Sequence, residues 1–150
     1  MKTESAPAPS KGLQSGLWVA QLALAAVFFI AGVMKVTQPI SQLANNIPWV
    51  ADVPAALVRF IGTCELLGAI AVVVPAAMHL LPRLTGFAGV GLATLMALAT
   101  GFHGMRGEYA NMPFTLALCA LAAFVAWGRL IRAPILPRGM GSPTGPAARV

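Results

Sequence analysis

From Arg59 to Pro75 the chain reads RFIGTCELLGAIAVVVP, apolar throughout apart from Arg59, Thr63 and Glu65. Taken from Ala55, the stretch is about 20 residues long, enough to cross roughly 30 Å of hydrocarbon as a helix. Working outward, three more stretches of that length stand at about 17–35, 84–102 and 113–131, with this one at 55–74. The sequence therefore predicts an all-α integral membrane four-helix bundle. Alternating apolar and polar residues are nowhere sustained, which excludes a transmembrane β-barrel.

The composition agrees. Of 150 residues, 58% are apolar and 9% charged, against about 25% charged in an ordinary soluble domain. The net charge of +6 is spread through loops and tails, so no phosphate-binding patch forms and a nucleic-acid partner is excluded. Four spans place both termini on one side, together with Lys2, Lys11, Arg83, Arg129, Arg132, Arg138 and Arg149; only Lys35, Arg59 and Arg106 fall on the other. The positive-inside rule makes the termini cytoplasmic. Residues 1–16 and 132–150, rich in Pro, Ser, Ala and Gly, read as disordered tails around a membrane domain at 17–131. The first span exceeds the 7–15 apolar residues of a cleaved signal, so a retained signal anchor is expected.

Between the first two spans, Leu43, Ile47 and Val50 recur at helical spacing beside Trp49, a pattern suited to a segment lying at the headgroups. Asp52 before Pro54, and Asn111 before Pro113, read as helix starts. Ala93, Ala97 and Gly101, with Gly62 and Gly68, are small residues expected to bring helices close. Cys64 and Cys119 sit in separate apolar runs and read as small apolar side chains instead of a disulfide or redox pair.

Glu65 carries the functional signal. An acidic residue deep in a span costs about 2.5–3.5 kcal/mol on insertion scales and needs compensation. It shares a helix face with Ile61, Gly62, Gly68 and Ala69, while Arg59 points elsewhere and is expected to snorkel. Lys35 closes the first span, and His103 and Arg106 follow the third. The expected arrangement is a cluster of Lys35, Glu65 and His103, with Arg106, Glu108 and Asn111 above it. Such a cluster offers a proton-active carboxylate or an anchor for the head of an amphipathic ligand such as a quinone. The structural reading is a buried pair that fixes helix register. No metal-ligand spacing, nucleophile triad or cofactor-attachment motif is present, so no catalytic residue is assigned.

Several of these segments carry a family likeness: AGVMK (Ala31 to Lys35), RFIGTCELLGAIAVVVP, the His103 and Arg106 region, and AFVAWGR (Ala123 to Arg129). In order and spacing the chain resembles the DoxX and DoxX-like family of small four-helix membrane proteins, over about Leu17 to Arg129. The resemblance implies a multi-pass protein of the bacterial inner membrane. It also implies kinship with subunits of quinone-linked oxidoreductases, including those of thiosulfate oxidation, and with partners of soluble redox enzymes. The expectation is an accessory or quinone-interacting subunit of a membrane redox system, with no cofactor held in the chain itself. The alternative is a membrane scaffold or small-solute carrier in which the cluster is structural.

Overall fold

A computed structural model describes residues 10–136; of the tails expected at 1–16 and 132–150, residues 1–9 and 137–150 lie outside the described residues. In chain order the elements are α1 (Lys11–Thr37), α2 (Ile40–Asn46), a 3-10 turn (Pro48–Ala51), α3 (Ala55–Met78), α4 (Arg83–Met105), a second 3-10 turn (Tyr109–Asn111) and α5 (Met112–Trp127). A π turn at Gly128–Arg132 continues α5. Helices α1, α3 and α4, and α5 together with the turns that flank it (Tyr109–Arg132), provide four spans long and apolar enough to cross a membrane, and no strand occurs among the described residues.

Capping and backbone chemistry, more than hydropathy, set where these helices end. Ser10 Oγ accepts the Leu13 N–H at 3.2 Å, so α1 begins at Lys11 and the expected tail at 11–16 is helical. Helix α3 runs through Pro75 to Met78 instead of ending before the proline. A proline this close to a helix end frees few carbonyls, and membrane helices tolerate it. The turn that follows places His79 and Leu81 at φ of 55° and 47°, both left-handed. Asp52 and Asn111 do not cap: Pro54 precedes α3 without a side-chain bond, and Asn111 makes none to the start of α5.

Each span buries one stripe at helical spacing. On α1 it is Leu17, Gln21, Leu24, Phe28, Gly32 and Lys35; on α3, Val58, Gly62, Glu65, Ala69, Val72 and Ala76. The α4 stripe runs from Thr85 through Leu92, Met96 and Thr100 to His103, and the α5 stripe from Thr115 through Leu118, Ala122 and Val125 towards Arg129. The middles of the stripes are apolar and pack as one core. Their ends are polar, so the bundle has two polar ends separated by an apolar plug.

The close helix approaches fall on glycines the sequence indicated only in part. A Cβ on Gly62 would stand 2.7 Å from Lys35 Cβ, and one on Gly32 2.8 Å from the Gly62 carbonyl, so α1 and α3 touch through backbone. Gly89 similarly meets the Ala122 and Ala126 backbone. The expected repeat of Ala93, Ala97 and Gly101 is not a packing seam: Ala97 and Gly101 are exposed, and Gly101 has open space around it. Only Ala93 packs against the core; the face carries the other two out of the bundle.

Candidate functional site

Lys35 lies near the C-terminal end of α1, where a lysine ordinarily reaches outward to the headgroups. Side chains on a helix tilt towards its N-terminus, so Lys35 instead leans back along α1, into the bundle. There its Nζ donates to both Glu65 oxygens, each at 2.8 Å, and the two residues are only 7% and 4% exposed. Glu65 stands ten residues into α3, or about 15 Å along it. The same tilt carries Arg59, near the start of α3, the opposite way. Its guanidinium donates to the Lys35 carbonyl and, at 2.7 Å, to the Gln38 carbonyl, capping the end of α1. Arg59 is thus fixed to a helix end instead of snorkelling freely.

A second set of charges is built at the end of α4. His103 Nδ1 lies 2.6 Å from Glu108 Oε2, Arg106 Nε donates to Glu108 Oε1 at 2.7 Å, and Arg106 Nη2 donates to Asp52 Oδ2 at 2.7 Å. The Arg106 bond, then the His103 bond, holds the Glu108 carboxyl below the usual carboxylate range. Those to Glu108 and then Asp52 raise Arg106 above its ordinary value. Asn111 reaches Glu108 at 3.5 Å, the outer limit of a hydrogen bond.

The predicted single cluster is therefore two bonded groups, with no hydrogen bond joining them among the described residues. They are brought together by a cavity of about 830 Å³, with Lys35 and Glu65 on one wall and His103, Glu108, Asn111 and Thr115 on the other. This volume is in the range of small-molecule sites. Phe28, Met96 and Leu118 close its floor, and Phe60, Phe102 and Phe114 line its sides. Arg106 does not line it, because its guanidinium is turned to Asp52.

The loop between α1 and α3 forms the roof. Asn46 to Trp49 and Val53 line the cavity, Leu43 and Val50 pack on Val58, and the Trp49 ring meets Phe102 edge to face at 5.7 Å. The Asp52–Arg106 bond ties this roof to the far half of the bundle. Cys119 Sγ donates to the Ala93 carbonyl at 3.3 Å, and both cysteines are free. Among the described residues no group of His, Cys, Asp and Glu could hold a metal.

A polar centre that the sequence reading missed lies at the opposite end. Arg129, 1% exposed, donates from Nε to Gln21 Oε1 at 2.6 Å and from Nη1 to Gln14 Oε1 at 2.7 Å, with its guanidinium 5.2 Å from the Trp18 ring centre. Gln21 in turn donates to the Val72 carbonyl at 2.7 Å. Arg129 Nη2 and Thr85 Oγ1 have no partner among the described residues. The available signal was register: Gln21 lies one turn from both Leu17 and Leu24, and Arg129 one turn beyond Val125.

Four membrane-length helices around a roofed, largely apolar cavity bordered by two charged groups define a small multi-pass membrane protein. The model of the DoxX-like family matches residues 19–125, and the chain belongs to that family. Comparison with curated proteins and with solved structures found no match.

Proposed function

We propose that this protein is an accessory, quinone-interacting subunit of a membrane redox system, set in the inner (cytoplasmic) membrane with its termini in the cytoplasm and its cavity end outside. The observation that carries this reading is the placing of two hydrogen-bonded acid–base pairs, Lys35–Glu65 and His103–Glu108, on opposite walls of one aromatic-lined cavity. A quinone would supply a two-electron, two-proton couple, its electrons exchanged with a partner oxidoreductase. In this chain, Lys35 Nζ–H and the His103 ring are the groups placed to hold carbonyl oxygens, and Glu65 and Glu108 hold those groups in place. The floor of Phe28, Met96 and Leu118 keeps the head at one end of the bundle.

A scaffold is the second reading, since a buried pair can serve register alone. A carrier is disfavoured by the apolar plug: between the Glu65 level and Arg129 the stripes hold Leu24, Ala69, Val72, Leu92, Ala122 and Val125, with no polar path. The deciding experiment measures benzoquinone binding and thermal unfolding of the purified protein and its Glu65→Gln variant. Wild-type binding that is lost in a variant that still folds supports the quinone reading. A folded wild type that binds none leaves the scaffold.

A further inference from the structure

The cavity is not sealed towards the lipid. Its lining includes Leu57 and Phe60 on α3 and Leu98 and Met105 on α4, which are 44%, 65%, 68% and 84% exposed. All four lie on membrane-length helices, so the opening between α3 and α4 faces acyl chains. Among the described residues no hydrogen bond joins these two helices. Deeper in the bundle they close up where a Gly68 Cβ would stand 2.5 Å from Leu92.

A second depression, of about 490 Å³, continues from that opening along the same pair of helices. It shares Leu95 and Leu98 with the cavity and runs past Cys64 and Gly91 to Ala71 and Leu84. From Leu98 to Leu84 it covers about 21 Å of α4 at 1.5 Å per residue. The groove has no charged residue in its lining, and the cavity's charged groups are all paired inside the protein. A phosphate head would face no unpaired cation there, whereas a neutral head with hydrogen-bonding oxygens is suited to both walls.

We propose that the α3–α4 opening is a lateral portal and the groove below it a tail-binding subsite, so that the ligand is a neutral-headed lipid whose chain lies along α3 and α4. This rests on the quinone reading for the head and adds the tail, the route of entry and the exclusion of charged phospholipid.

Two glycines of α4 make the test clean. Gly91 lies in the groove and Gly101 outside both groove and cavity, and a Cβ on either meets nothing within 4 Å. Binding of a farnesyl-tailed benzoquinone and of the same ring with a methyl in place of the tail is measured on the purified wild type, Gly91→Phe and Gly101→Phe. The wild type is expected to prefer the tailed probe. Gly91→Phe should lose about tenfold of that preference, the effect of two or so methylenes no longer buried. It should bind the tail-less ring unchanged, and Gly101→Phe should match the wild type. Equal wild-type affinity for both probes, or no effect of Gly91→Phe, overturns the subsite while the head site stands. Equal losses in both variants also overturn it, and a wild type that binds neither probe removes both readings.

Discussion

The two polar ends of the bundle handle buried charge in different ways. At the cavity end a cation meets an anion: Lys35 closes on both oxygens of Glu65. At the other end Arg129 meets amide oxygens of Gln21 and Gln14 and the face of Trp18, with no carboxylate among its described partners. A cation held by neutral dipoles leaves no opposite charge behind when it is removed; an ion pair does. The first arrangement suits a knot that ties α1 to the end of α5. The second keeps acidic and basic groups beside a cavity, where a ligand can compete for their hydrogen bonds.

That contrast sets the largest expected effect. Lys35→Met alone, or Glu65→Ala alone, should destabilise the purified protein by about 3–5 kcal/mol, because each strands a buried charge. Lys35→Met combined with Glu65→Met should recover most of the loss. Thermal unfolding in detergent reads this, and a double variant as unstable as the singles would show that shape, not charge, holds the pair. Next in size, Arg129→Met should cost about 1–3 kcal/mol, the expense of leaving the glutamine oxygens unsatisfied. A loss as large as that of Lys35→Met would break the comparison and reveal an anionic partner for Arg129. Smaller again is Thr115→Val, which removes the 2.7 Å bond to Thr100. Bonds of this kind between membrane helices average about 0.6 kcal/mol, so a shift near the resolution of the unfolding measurement is expected.

These residues also show how far the sequence could be read. The four spans follow from hydropathy and length, and the family from a few spaced motifs, because a bilayer imposes both element type and element length. Glu65 stands out for the same reason. Its partner Lys35 was legible from register, but its direction depended on the tilt of side chains towards a helix N-terminus, which a face diagram omits. Arg59 and Asp52 went to unexpected partners because the start of α3 is ordered by the loop beside it, a tertiary matter. Arg129 was hidden by convention: a basic residue near the end of a span reads as an orientation signal, although its register beyond Val125 aims it inward.

The smallest effect expected is confined to the roof of the cavity. Glu108 is bonded to Arg106 and His103, and Arg106 also holds Asp52, so this carboxylate positions the arginine that ties the roof to the bundle. Its carboxyl is held below the usual value of 4.5, chiefly by Arg106. A depressed carboxylate contributes fully above its unfolded value, and that contribution is lost as the pH falls through the lower, folded one. The roof should therefore stay closed at neutral pH and loosen only below the ordinary carboxylate range. Trp49 reports this directly, since its ring leaves Phe102 when the roof lifts. In a protein with Trp18→Phe and Trp127→Phe, Trp49 emission should change on acidification below about pH 4.5 while helical circular dichroism stays constant. Replacing Glu108 by Gln should remove that step and leave Trp49 in its acid-state environment at neutral pH. An unchanged acid step in Glu108→Gln would overturn this role for Glu108.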